Sequence, residues 1–553
     1  MKYLSLLLLS LLPRSITSAS IGIRQTLEAC TLQALTGADA AERIVTPQDD
    51  TYTDARMGEK IQFEQFPALI AYVKDAREVA PLIRCAQSTG TKLVPRNGGH
   101  HLQFRSQFSF SQRGEANCRY LDPSFLSYSA LNNTLVVDLT HLNYVDVSPD
   151  HSTARVGAGI RLGALYTALN AYNTSWVGGI CPTVGLSGLL SAGGFNMQMR
   201  ALGISGDHVL SAQVVLANGT MLTASASSNQ DLFWAIRGGG GGTYGILTEF
   251  TLRLTPLPRS AMVAIQWNET DTRFDVAKRF LDWAPRQPKE FTSQINVYKS
   301  KVQVLGWYLG GTQQQLQRLV NDSGLLELGH PQSQTAGNCN TDNSRIFGYI
   351  TTECLPDDKV DSSILNVVPE AFAPYENSPQ FIYDEIPLST SRTTASPWPR
   401  FRRINKSFFV QKDNLLSDDV LRGVVDRIGQ LETEAELWAE WHAWNISEAG
   451  DNAFAWREQA YAHLQFQAHG SSDAATQQRY LEWFADLERY LRPVVGPASY
   501  TGYMDDTISV EPLESYYGKN ICQLVDVKRN YDPDNFFTNP HAIQPTAPTF
   551  TSC

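Results

Sequence analysis

The chain has 553 residues, 42% of them hydrophobic, 10% aromatic and 18% charged, with a formal net charge of −11. That length supports two or more packed cores, and the aromatic content with low charge excludes a disordered chain. No basic stretch stands out against the acidic balance, so a nucleic-acid partner is not expected.

Residues 1–19 open with one Lys, continue through the apolar run Leu4–Leu12 and end on small residues. This is the layout of a secretory signal peptide, too short to cross a bilayer. No later segment approaches ~20 consecutive apolar residues, so no membrane partner is expected. Asn-x-Ser/Thr sequons at Asn132, Asn173, Asn218, Asn268, Asn321, Asn405 and Asn445 agree with export. Eight cysteines would pair into four disulfides in an oxidising compartment. Neither C-x-x-C nor H-E-x-x-H occurs, so no metal site is signalled.

Residues 62–110 pass from a segment with helical spacing in its second half to the strand-like KLVPR and a Gly-Gly turn. Residues 134–255 predict short strands (TLVVDL, ARVGAG, SAQVVLANGTMLTA, GILTEFTLRL), with Asn218-Gly219 as a hairpin turn. Pro256 and Pro258 mark a boundary. Over 260–495, strand-like and helical pieces alternate, which predicts an antiparallel sheet with helices on one face. The polar stretch 331–345 and the Pro/Ser/Thr-rich 386–399 read as long loops. The tail 514–545 combines a helix with an extended, Pro-rich end.

Three glycine-rich constellations carry the chemistry. Arg96-Asn97-Gly98-Gly99-His100-His101 follows a strand, where paired glycines let backbone N–H groups approach an anion. Such turns are common, and this one is weak alone. Gly178-Gly179-Ile180-Cys181-Pro182-Thr183-Val184-Gly185 runs into Gly188 and Ala192-Gly193-Gly194, which suits backbone lying against a flat ligand. Its cysteine would serve equally as half of a disulfide. Asp231-Leu232-Phe233-Trp234-Ala235-Ile236-Arg237 precedes Gly238–Gly242, Thr243, Tyr244, Gly245 and Ile246. With no Lys-Ser/Thr pair after the run and no acidic residue ~20 positions on, neither a P-loop nor a Rossmann fingerprint fits.

In this order the three motifs resemble the berberine-bridge-enzyme-like FAD-linked oxidoreductases of the vanillyl-alcohol-oxidase (PCMH-type) flavoprotein superfamily, and the chain is similar to that family's oligosaccharide oxidases. RNGGHH stands for R-S-G-G-H-S, CPTVGLSGLLSAGGFN for the cysteine motif, DLFWAIRGGGGGTYG for the third motif and YDPDNFFTNPHAIQP for the closing one. The resemblance implies an α+β fold: a two-part PCMH-type FAD-binding domain from 20–257 and 496–553, with a substrate domain over 258–495. It implies a bicovalent FAD on His100 and Cys181, with His101 the rival of His100. It further implies cofactor contacts from Arg96, Asn97, Gly98, Gly99, Pro182, Thr183, Gly185, Gly188, Gly193, Gly245, Ile246, Asn535 and Phe537. With Cys181 on the flavin, one cysteine stays unpaired. Cys30–Cys85 resembles a family disulfide, Cys339–Cys354 is expected to close a loop, and Cys118, Cys522 and Cys553 remain open. The chain departs from the family at Leu189, where a histidine is usual, and at Asn196, which replaces a glycine.

Residues 454–470 alternate as a strand, with Ala462, Leu464 and Phe466 facing one way and His463, Gln465 and Gln467 the other. The resemblance makes Gln465 substrate-facing, places Gln467 where oligosaccharide oxidases carry an assisting Asp, and makes Tyr500 the base that takes the substrate proton while hydride passes to flavin N5. A free tyrosine titrates near pH ~10, so that role needs a nearby cation or hydrogen bonds. Val184 matches the family position associated with oxygen access. The expected protein is therefore a secreted, monomeric oxidase of an alcohol or carbohydrate, making hydrogen peroxide from O2. Trp438, Trp441 and Trp444 are candidates to stack on sugar rings. The alternatives are a tailoring oxidoreductase of secondary metabolites and a flavin-carrying surface protein with little turnover.

Overall fold

A computed structural model describes residues 26–57, 65–99, 130–179, 184–194, 198–257, 259–340, 402–440, 451–505, 507–539 and 541–546. The signal segment, His100, His101, Cys181, Pro182, Thr183, Asn196, Cys354, the 386–399 stretch, Trp441 and Trp444 lie outside these residues.

The fold is α+β. Strands β1 (Ile44–Val45), β2 (Leu69–Tyr72), β3 (Lys92–Arg96) and β4 (Thr134–Asp138) form one sheet in the order β1-β2-β4-β3. Its β2, β4 and β3 run parallel, with helix Val79–Thr89 as the crossover between β2 and β3. That helix turns Leu82, Ile83 and Ala86 inward and ends on Gly90, whose left-handed φ of 68° lets its N–H donate to the last-turn carbonyls of Ala86 and Gln87. Cys85 on the same helix is bonded to Cys30, with Cα atoms 5.6 Å apart. Cys522 is disulfide-bonded as well.

A second, antiparallel sheet combines β5 (Val145–Val147), β6 (Thr153–Gly157), β8 (Val209–Val215), β9 (Met221–Ser225) and β10 (Ile246–Arg253), in the order β5-β6-β10-β8-β9. Between β6 and β8 in the chain, β7 (Thr174–Ser175) pairs with β11 (Thr255–Pro256). The predicted hairpin is present, with Val215 opposite Met221 and Gly219 at φ 81°. The C-terminal helix Ile521–Tyr531 returns to this unit and buries Ile521, Leu524 and Val525 with Phe250 and Leu252.

The third sheet is wholly antiparallel: β12 (Arg259–Trp267), β13 (Phe291–Tyr298), β14 (Val302–Leu309), β15 (Gln332–Asn340), β16 (Arg403–Gln411), β17 (Ala435–Glu440) and β18 (Ala460–His469). Their order is β15-β12-β14-β13-β17-β18-β16. Helices Arg273–Trp283, Asp418–Gln430 and Ala474–Val495 cover one face, burying Phe280, Val424 and Leu487 against Ile295, Leu437 and Phe466. Each such side chain contributes roughly 1.5–3 kcal/mol. One expectation is corrected here: residues 332–340, read as loop, form the edge strand β15. A polar strand is tolerated at an edge, where one side of the ladder is unpaired.

Candidate active site

The three glycine loops converge. β3 delivers Arg96, which is buried and ion-paired with Asp138, its register partner on β4. Its Nη1 also donates to the carbonyl of Ala55 (2.7 Å), so this guanidinium anchors the root of the first loop. Beyond it, the backbone N–H of Ser187 in the second loop donates to Asn97 Oδ1 (3.3 Å). Gly98 lies against Gly185 so closely that a Cβ on Gly98 would stand 2.4 Å from the Gly185 nitrogen. In the third loop, the N–H of Gly240 donates to the carbonyl of Ser191 (2.9 Å). Gly242 completes the ring of contacts, since a Cβ there would lie 3.7 Å from Pro95.

Two observations show that this junction fits a dinucleotide such as FAD. Asn97 Nδ2 is a buried donor without a hydrogen-bond partner, where a phosphate or flavin oxygen would accept. Gly188 is exposed, and a Cβ on it would meet no atom within 4 Å, so the backbone presents itself to a flat group. Gly99 has a left-handed φ of 67° at the end of the first loop. Further predicted cofactor residues also take part in the scaffold. Gly245 packs on β8, where a Cβ would meet Val214 Cγ1 at 2.7 Å, and Ile246 and Phe537 are buried in the core of the four-stranded sheet. Asn535 takes a left-handed φ of 53° and its Nδ2 donates to Gln544 Oε1. Lys528 ties the tail to the third loop, donating to the carbonyls of Thr243 (2.7 Å) and Phe537 (2.6 Å) and to Asp532 (2.6 Å).

Val184 is half-buried against the core of the five-stranded sheet, and its carbonyl accepts from the N–H of Leu162 (3.0 Å). Leu189 packs beside Gly179, its methyl carbon 3.4 Å from where a Cβ would stand. Gly193, with φ 97°, abuts the ring of Phe454, and Phe454 packs against Tyr500 with ring centroids 6.2 Å apart. This chain of contacts joins the second glycine loop to the proposed base.

The strand alternation places its residues as expected. Ala462, Leu464 and Phe466 enter the helix-covered core, and His463, Gln465 and Gln467 occupy the opposite, buried face. Tyr500 is buried in a cluster with Phe409, Phe454, Ala460 and Ala498, beside Tyr503. Gln467 is engaged elsewhere: its Oε1 accepts from Arg403 Nη1 (2.7 Å), and it pairs in register with Asn405. Tyr500 docks two residues further along, where its N–H donates to Ser407 Oγ (3.1 Å), and Ser407 is the register partner of Gln465.

Sequence reasoning passed over Ser407, Tyr503 and Arg403, and gave His463 no role beyond its face. His463 Nε2 is hydrogen-bonded to Ser407 Oγ (3.0 Å), and burial pushes its pKa down to about 3, so the imidazole is neutral. A histidine alternating with Ala, Leu and Phe was the available signal. On the neighbouring strand, Trp438 and Glu440 take the register positions opposite Gln465 and His463. The sequon at Asn405 falls on β16, where the residue is 4% exposed, whereas Asn173, Asn218, Asn268 and Asn321 are exposed. Among the described residues, no helix is long and apolar enough to cross a membrane and no cluster could hold a metal ion.

Residues 123–225 match the family model "FAD binding domain", and residues 499–544 match "Berberine and berberine like". The chain is 57% identical over 532 residues to the FAD-linked oxidoreductase pynB of Aspergillus niger, covering 96% of this chain and 94% of that protein. Among solved structures, Physcomitrella patens BBE-like 1 superposes with a TM-score of 0.75 at 25% identity, covering 95% of this chain and 100% of the other. The glucooligosaccharide oxidase of Acremonium strictum, with its 6-S-cysteinyl, 8α-N1-histidyl FAD, superposes with a TM-score of 0.72 at 18% identity, covering 95% and 100%. With one segment matching the FAD binding domain, the C-terminal segment carrying the berberine-like signature and a near-full-length relative 57% identical, the chain belongs to the berberine bridge enzyme-like FAD-linked oxidoreductases.

Proposed function

We propose that this FAD-linked oxidoreductase is a secreted oxidase that removes hydride from a C–H bond beside a hydroxyl group of a small molecule and uses O2 as the final acceptor. The observation that carries the reading is the seat of Tyr500, which is 3% exposed and linked through Phe454 to Gly193 of the second glycine loop. FAD, when bound, supplies the hydride acceptor. Arg96, Asn97, Gly98, Gly185, Gly188 and the Gly240–Gly242 backbone would hold it, and attachment at His100 and Cys181 is part of the proposal.

The protein's own share is proton handling and exclusion of water. Acting as its phenolate, Tyr500 takes the proton of the substrate hydroxyl, and the Gln465 amide, which can donate and accept but not take up a proton, orients that hydroxyl. Phe409, Phe454 and Tyr503 surround Tyr500 and keep water from its ring. Val184, at the second loop, is the residue proposed to admit oxygen.

A second reading, a tailoring oxidoreductase of secondary metabolites, is favoured by these aromatic neighbours, which suit a flat substrate. The oligosaccharide-oxidising neighbour supports only the fold at its 18% identity.

Acid precipitation tests the cofactor assignment. Flavin colour should stay in the pellet of the wild type and of His100→Ala and Cys181→Ala, and leave it in the double variant. Tyr500→Phe tests the base. A panel of sugars against phenolic and polycyclic alcohols finds the substrate class, and flavin reduction by Tyr500→Phe at the wild-type rate would remove Tyr500 from its role.

A further inference from the structure

We infer that His463, acting through Ser407, is the positioning residue that holds Tyr500 in its working place. His463 lies on β18, on the face shared with Gln465, and is 1% exposed. Its Nε2 bonds to Ser407 Oγ (3.0 Å), and the same oxygen accepts the backbone N–H of Tyr500 (3.1 Å). A serine hydroxyl carries one proton and two acceptor sites, so the bond to the imidazole fixes the rotation of Oγ and thereby aims a lone pair at the Tyr500 amide. The imidazole ring also touches the base and its surroundings. Its centroid is 6.0 Å from that of Tyr500, 5.5 Å from that of Tyr503 and 5.3 Å from that of Phe409.

The rest of the seat is tied down by hydrogen bonds and an ion pair. Arg492 donates to the carbonyls of Gly496 (3.1 Å), Pro497 (3.0 Å) and Ala498, and Ser499 Oγ donates to the carbonyl of Ser407 (2.9 Å). Downstream of Tyr500, Asp505 is ion-paired with the buried Lys406. The chain is thus clamped on both sides of Tyr500, and the Ser407 hydroxyl is what meets its own amide. His463 decides whether that hydroxyl is correctly turned. An imidazole that stays neutral suits this use, because it accepts or donates one bond at a buried position where no counter-charge is required.

The inference rests on Tyr500 being the base, and the experiment separates the two. Hydrogen exchange of the full-length holoenzyme is followed on peptides spanning 498–504. Ser407→Ala should speed exchange at the Tyr500 amide at least tenfold, and His463→Phe, which keeps a ring but loses the bond, should do the same. His463→Gln, whose amide can still reach Oγ, should stay within about threefold of the wild type. Peptides from helix Ala474–Val495 serve as the control for folding and should not change. The double variant Ser407→Ala/His463→Phe should exchange no faster than Ser407→Ala. Wild-type protection at Tyr500 in His463→Phe, or no recovery in His463→Gln, would overturn the inference. Full-speed flavin reduction in Tyr500→Phe would instead remove the base assignment and leave the exchange result standing.

Discussion

Gly98 and Gly185 meet backbone to backbone, and a Cβ added to either would stand 2.4 Å from the nitrogen of the other. Two motifs that lie 87 positions apart in the chain are thereby fastened at a point where no side chain fits. Gly185→Ala would also drive a methyl to 1.9 Å from Asn97 Oδ1. Overpacking of this kind costs about 1–3 kcal/mol or more. Gly98→Ala and Gly185→Ala should therefore lower both flavin occupancy and melting temperature, read from the ratio of flavin absorbance to protein absorbance and from calorimetry.

Gly188→Ala should behave differently. Its Cβ would meet no protein atom within 4 Å, and the left-handed region is not in question. The expected outcome is a melting temperature for the flavin-free protein within about 1 °C of the parent, with flavin content reduced. Such a split shows that Gly188 serves the cofactor rather than the fold.

Stability should fall as the pH drops below 6.5. His463 is neutral in the folded protein, with its pKa pushed down to about 3 by burial, whereas the unfolded chain binds a proton near 6.5. A depressed folded value means the contribution is fully present above pH 6.5 and is lost as pH falls from there toward 3, at up to about 1.4 kcal/mol per unit. Urea unfolding of the wild type and His463→Gln between pH 7 and 4 checks this. The difference between the two curves should slope by about that amount per unit.

Lys528 and Asp532 are both fully buried, and the lysine's three donors end on Asp532, Thr243 and Phe537. Removing one partner of such a pair costs about 3–5 kcal/mol, because the other charge is left alone in the interior. Lys528→Met should detach the tail from the third glycine loop, seen as lost stability in denaturant titration and as faster proteolysis beyond residue 531.

If the protein is passed through a secretory pathway, peptide mapping should find glycan among Asn173, Asn218, Asn268 and Asn321 and none on Asn405. Asn405 is 4% exposed on β16, and a glycan there would require the sheet to open. Glycan at Asn405 on natively folded protein would contradict this placement of the strand.

What the sequence determined by itself was local. The glycine runs, the Asn218-Gly219 hairpin and the two-residue alternation of 460–469 follow from backbone freedom and side-chain period, which neighbours in the chain suffice to specify. The family motifs were legible for the same reason, since they are short and contiguous. Pairing decided the rest. Residues 332–340 carry too few apolar side chains to read as strand, and become β15 because Arg259–Gln266 offers a free ladder. Gln467 was expected to assist the tyrosine, and only the pairing of β16 with β18 shows Arg403, 64 residues away, donating to its amide oxygen. His463 acquired its role only when β16 brought Ser407 to its ring and the turn at 498–503 brought Tyr500 to Ser407. Hydrogen bonds between residues this distant depend on which strands become neighbours, and that is settled by the burial of whole sheets rather than by any local run of residues.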